Sequence, residues 1–170
     1  MIPYRDWLAF DVEGRAMPAG SKTRTRWGIR ECGTKENLDD KAAWRAAVSA
    51  IATKARNAAG LSMIPKGVPI ELSLEFRRPR PASHYGAKGV KPKFADARPT
   101  QMPDSVKLTR STEDAMTGVV WTDDSSICDH ILRKRYALEG EPTGCRVVVR
   151  VADGIGSGCV GGEKSTVQAS

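Results

Sequence analysis

Histidine and cysteine, the commonest zinc ligands, are scarce here: 170 residues contain two histidines and four cysteines. Cys32, Cys128, Cys145 and Cys159 are widely scattered with no C-x-x-C pair, which argues against both a zinc site and a disulfide framework. Cys128 and Cys145 fall in segments that read as strands, where a cysteine serves as a small buried hydrophobe. No stretch approaches the ~18 apolar residues of a membrane span, and Met1 to Trp7 holds no apolar run of signal-peptide length. The expectation is a soluble, cytoplasmic protein with no membrane partner. Acids are missing from one segment in particular, residues 77 to 93, "RRPRPASHYGAKGVKPK".

That gap gives direction to the overall charge of +7 and the sequence pI near 9.4. A basic balance alone specifies solubility and attraction to anions. Concentrating Arg77, Arg78, Arg80, Lys88, Lys91 and Lys93 in one acid-free loop favours a phosphate backbone as the partner. With 40% hydrophobic residues, a chain of this length closes one core unaided, so one domain is expected over residues 1 to 152. Residues 153 to 170, small and polar, read as a disordered tail.

Along the chain, "LAFDVE" (8 to 13) alternates as a half-buried strand with Leu8, Phe10 and Val12 inward. Residues 14 to 33 read as a long loop holding at most a short hairpin. From Asn37 to about Ala58, Trp44, Val48, Ile51, Ala55 and Ala58 recur at helical spacing and Gly60 follows, which predicts an amphipathic helix with Trp44 as a core anchor. "IELSLEF" (70 to 76) is a second alternating strand. Residues 77 to 103 show no period, and a loop that long is expected to be functional and mobile until it binds a ligand. A short helix over 105 to 116 rests on Leu108, Ala115 and Met116 and stops at Gly118. Two strands, 126 to 136 and 145 to 151, follow, with Cys145, Val147, Val149 and Val151 on one face of the second. The order is β-α-β-α-β-β, an α+β single domain with a mixed, mainly antiparallel sheet and helices packed on it.

The segment "MPDSVKLTRSTEDAMTGVVWTDDSS" (102 to 126) surrounds the second helix with Asp104, Asp114 and the pair Asp123 and Asp124. Taken singly, Asp104 is a favoured helix N-cap and "TDDSS" is ordinary turn chemistry. Taken together, carboxylates that converge repel one another unless a cation joins them, and Mg²⁺ favours such oxygen donors. A turn after the helix can fold the start of the next strand back beside it. Arg110 lies between the acids and can face a phosphate, so acids, one cation donor and a basic loop supply the parts of metal-assisted phosphodiester hydrolysis.

At "PDSVKLTR", "DAMTG" and "WTDDSSI" the chain resembles the RusA family of Holliday junction resolvases, which carry P-D-x-D-[NK]-L-x-[KR], then D-A-[LM]-x-G, then a D-D pair opening a strand. "FDVEGRAMPAGSKTR" and "LEFRRPRPASH" look like that family's first strand with its G-x-P-x-x-x-S-K loop and its strand ending in a Pro and Arg-rich loop. The resemblance covers roughly residues 8 to 151 and implies a homodimeric, Mg²⁺-dependent endonuclease, with Mn²⁺ as the alternative ion, that cuts four-way DNA junctions in recombination and repair; the compact form suits a phage or prophage version. It places the metal-binding acids on Asp104 and Asp124 and the catalytic cation on Arg110, with Asp114 and Asp123 supporting. Lys22, Arg24, Lys107 and the loop residues Arg77, Arg78, Arg80, Lys88, Lys91 and Lys93 would hold the DNA. One departure stands out: the family's second Asp falls on Val106, which can neither bind a cation nor position water. The alternative reading is a junction-binding protein that lost cleavage with that ligand; a third, blander one is a basic domain whose acids only cap and turn.

Overall fold

A computed structural model describes residues 4 to 20, 22 to 26, 28 to 31 and 34 to 152. The expected tail, 153 to 170, lies outside the described residues. Strand β1 (Tyr4–Glu13) leads into a hairpin of β2 (Lys22–Thr25) and β3 (Gly28–Glu31), then helix α1 (Lys35–Ala58) and strand β4 (Ile70–Arg78). A two-residue hairpin, β5 (Tyr85–Gly86) and β6 (Gly89–Val90), precedes helix α2 (Ser105–Met116), and strands β7 (Ile127–Tyr136) and β8 (Gly144–Ala152) complete the chain.

The main sheet has the order β1-β8-β4-β7. β8 pairs antiparallel with both β1 and β4, while β4 and β7 are parallel. The expected α+β architecture with a mixed, mainly antiparallel sheet is what the chain adopts. Alternation explains the register: Ile70, Leu72, Leu74 and Phe76 are buried, as are Cys145, Val147, Val149 and Val151. Onto that face pack Trp44, Val48 and Ala52 of α1 with Leu108 and Met116 of α2. Trp44 is the core anchor its spacing predicts, and its indole N–H donates to Thr112 Oγ1 at 3.3 Å, tying α1 to α2. At Gly144, with φ near 150°, a Cβ would meet the Val12 carbonyl oxygen at 1.9 Å, so only glycine allows β8 to start this close to β1.

The opposite face of the sheet is a lattice of ion pairs. Arg77 meets Asp11 at 2.8 Å, Arg146 meets Asp11 at 2.5 Å, Arg150 bridges Asp6 and Glu71, and Arg135 joins Glu75 and Glu141. This corrects the reading of Arg77 as a basic-loop residue: β4 runs on to Arg78, and the alternation that turns Glu71 and Glu75 outward puts Arg77 among acids, buried. Glu141 shows what the lattice contributes. The Arg135 guanidinium, helped by the Leu138 N–H and the charge of Arg77, lowers its carboxyl from 4.5 to about 2. A depressed carboxyl stabilises the fold above its unfolded pKa and loses that contribution as pH falls through the folded value. Unfolding followed from pH 5 to pH 2 should therefore show Glu141→Gln less stable than the parent at pH 5, with the difference closing towards pH 2.

Candidate functional site

Asp104 follows a cis Met102–Pro103 bond and caps α2, its Oδ1 accepting the Val106 N–H at 2.8 Å. The cap uses one oxygen and leaves Oδ2 open on an exposed side chain. Beneath it Lys134 of β7 donates to the carbonyls of Gln101 and Pro103, each at 3.1 Å, pinning the approach to the helix. The loop between β1 and β2 closes in from another side, with the Ala19 N–H donating to the Lys107 carbonyl at 2.8 Å. Arg78 holds the same loop by donating to the Ala16 carbonyl at 3.1 Å. Partial burial, with Arg15 as a nearby like charge, pushes the Arg78 guanidinium below its usual range.

Asp124 lies at the other end. After Met116 the chain wraps around buried Trp121, and Asp123 and Asp124 then open a single 3-10 turn before β7. Asp123 accepts the Ser125 N–H at 2.9 Å and pairs with Lys66 at 2.8 Å, which together hold its carboxyl well below the usual range, Lys66 contributing most. Asp124 is exposed and makes no side-chain hydrogen bond or ion pair among the described residues.

The two candidate acids are not neighbours within one chain. α2, twelve residues and ~18 Å of rise, and then residues 117 to 123 lie between them along the chain. Lys134, which touches the approach to Asp104, lies seven residues beyond Ile127 in β7, or roughly 23 Å of strand. Both routes put Asp104 and Asp124 on the order of 20 Å apart. β7 does fold back beside α2, with His130 against Glu113 and Lys134 against the approach to the helix, and this order leaves the strand start nearer the C-terminal end of α2 than Asp104. Among the described residues no group of three or more His, Cys, Asp or Glu stands where it could hold a metal ion, so one subunit by itself does not fit an octahedral cation.

Between the two ends, the buried side of α2 carries Leu108, Thr109, Ser111, Thr112 and Met116, and its exposed side carries Val106, Lys107, Arg110 and Asp114. Val106, Arg110 and Asp114 recur every fourth residue and share one stripe that joins the two acids. Val106 is 64% exposed and packs against nothing that would explain it as core. Asp114 faces Arg45 of α1 at 3.4 Å. Two contacts have no signature in the sequence: Glu113 pairing with His130 of β7, and Lys134 reaching the approach to Asp104. Both contacts join residues 17 or more positions apart and leave no local signature.

The basic residues divide into two kinds. Lys88, Lys93, Lys107, Arg24 and Arg110 are exposed, while Lys22 lies in β2 with its side chain outside the described residues. Arg80 and Lys91 instead build the segment that carries them. Arg80 donates to the Phe94 carbonyl at 2.7 Å and lies over the Tyr136 ring, and Lys91 donates to the Ser83 carbonyl at 2.9 Å. His84 stacks on Phe94 with centroids 4.0 Å apart. Residues 77 to 103, expected as a long mobile loop, therefore form a braced hairpin with two 3-10 turns.

A family model described as endodeoxyribonuclease RusA matches residues 17–152. No curated protein matches the chain.

Proposed function

The chain belongs to the family of RusA endodeoxyribonucleases, and we propose on that premise that it cuts four-way and other branched DNA as a homodimer whose two cutting sites are each completed by both subunits. The observation that supports the dimer is that two open carboxylates lie on either side of α2, Asp104 as its N-cap and Asp124 eight residues past Met116 in the 3-10 turn before β7. A two-fold axis crossing α2 near its middle brings Asp104 of one subunit to Asp124 of the partner subunit, and does so twice. Two sites related by two-fold symmetry suit a junction that needs matched nicks in two strands.

In such a site Asp104 and Asp124 would hold a divalent cation, Mg²⁺ by the hardness of their oxygens, with Mn²⁺ as a substitute. A cation held there would supply Lewis-acid polarisation of the phosphodiester and acidify water beside it. Arg110, exposed midway along the same stripe, neutralises charge on the scissile phosphate, and its planar guanidinium contacts two phosphate oxygens where a lysine would contact one. Lys107, Arg24, Lys88 and Lys93 hold the arms; Arg78, Arg80 and Lys91 brace the surfaces that carry them. Asp123, neutralised by Lys66, and Asp114, held by Arg45, keep the ends of α2 in place.

The exposed valine at position 106 favours a second reading, binding without cleavage. Nicking of a synthetic four-way junction in Mg²⁺ and in Mn²⁺ separates the two. Paired nicks by the unmodified protein, made several-fold faster by Val106→Asp, support the endonuclease, because a third carboxylate beside Asp104 improves a site that already works. Nicks only after Val106→Asp would leave junction binding as the surviving function, and no nicks from either would contradict both the metal ligands and the substrate.

A further inference from the structure

Residues 82 to 98 surround an aromatic cluster from which one ring is left out. His84 lies flat on Phe94 and edge-on to Tyr136 at 5.4 Å, Arg80 caps Tyr136, and Lys93 caps Phe94. Tyr85, the next residue, makes no ring contact among the described residues and is 39% exposed. The backbone that carries it is held on several sides. Tyr85 pairs with Val90 across the hairpin, the Lys91 N–H donates to the His84 carbonyl at 2.9 Å, and the Lys91 stem lies against Gly86, where a Cβ would sit 3.5 Å from it. Gly86, Ala87, Lys88 and Gly89 then form a narrow tip with small side chains on either side of one lysine. Asp96 aside, residues 77 to 98 contain no acid, and the Glu139 carboxylate lies beside Gly89, 4.0 Å from where a Cβ would stand.

An exposed aromatic ring on a fixed backbone loses little conformational freedom on meeting a flat partner, and lysines around it attract phosphates. A hydrophobic contact with another protein would call for more than one exposed ring, whereas beside Tyr85 the tip carries Lys88 and two glycines, and its cross-strand partner Val90 is half-buried. A paired duplex offers its bases no exposed face except at ends and branch points. We propose that Tyr85 is the residue by which this protein selects branched over linear DNA: its ring stacks on a base exposed at the branch point while Lys88 and Lys93 contact the flanking phosphates. The proposal rests on the reading of the protein as a junction endonuclease, and deepens it by naming the residue that senses the branch.

The test compares the full chain with Tyr85→Ala and Tyr85→Phe, binding a synthetic four-way junction and a linear duplex of the same sequence. A parallel set of junctions carries 5-iodouracil at the branch point or well out along one arm for photocrosslinking. Tyr85→Ala should lose about tenfold in junction affinity with duplex affinity unchanged, and Tyr85→Phe should keep both, since the ring and not the hydroxyl stacks. Crosslinks to Tyr85 should form from the branch point and not from the arm. A purely structural tyrosine would lower the melting temperature and weaken both DNAs alike; that result, or branch-point crosslinks that bypass Tyr85 in a protein that still prefers junctions, overturns this inference alone. No junction preference in the unmodified protein overturns the endonuclease reading, and this inference with it.

Discussion

Asp124→Asn should lower junction nicking by ~100-fold or more while leaving junction binding equal or tighter. The magnitude follows from position. Loss of a partner one shell removed from a metal typically costs ~10- to 100-fold, and a direct ligand matters at least as much. The asparagine keeps size and polarity but gives up the charge that a small hard cation requires. Binding survives because Asp124 is exposed and engages no other side chain among the described residues, so removing its charge disturbs no fold contact and reduces repulsion towards phosphate. Asp104→Asn should behave the same way with one difference: its amide oxygen can still accept the Val106 N–H, so α2 keeps its cap. A blander role, in which both acids only cap and turn, predicts no change in nicking from either variant. Mg²⁺ titrations of nicking and gel-shift binding, run side by side, check all of these outcomes.

Trp121→Ala should destabilise the fold by ~3–5 kcal/mol, a large share of the roughly 5–15 kcal/mol available to a domain. Trp121 has no solvent exposure, and its indole N–H donates to Thr117 Oγ1 at 3.2 Å. Around it the chain closes on itself. The Gly118 N–H reaches the Trp121 carbonyl at 2.8 Å, the Ile64 N–H reaches Val120, and the Thr122 N–H returns to Ile64. Taking out the ring empties the centre of the turn that aims Asp123 and Asp124. Urea unfolding should show the loss, with a melting temperature on the order of 10 °C lower. Nicking should fall at temperatures well below the new midpoint, because Asp124 is no longer held in place. A melting temperature within about 2 °C of the parent would mean that the turn owes its shape to its hydrogen bonds alone.

The parts of the fold legible in the sequence are those with one face on the core. The alternation in 70 to 76 and 145 to 151 leaves only one way for each strand to sit, and the step from Trp44 to Val48 marks the buried side of α1, which continues at Ala52 with Ile51 and Ala55 half-buried while Ala58 is exposed. Residues 77 to 103 offered no such period because ring stacking, a two-residue hairpin and Lys91 hold them, and none of these repeats along a chain. Arg77 was misplaced for a different reason. Its local charge resembles the loop that follows, yet continuing the alternation of Glu71, Ser73 and Glu75 by one step turns it onto the ion-paired face. The candidate site is written in the sequence as a set of residue types and not as a place. Asp104 caps the start of the twelve-residue α2 and Asp124 lies eight residues past its end, so whether they meet depends on how residues 117 to 123 turn, which no local pattern records.

Mixing two inactive variants tests the shared site most directly. Asp104→Asn and Asp124→Asn proteins, denatured together and refolded at equal amounts, would form mixed dimers in about half of all cases by random pairing. In each mixed dimer one site loses both acids and the other keeps both. The account predicts that nicking returns to roughly a quarter of the unmodified level, one strand at a time, although neither variant cuts alone. A mixture as inactive as its parents, with mixed dimers shown by mass to have formed, would place both acids of a site in one chain and contradict it.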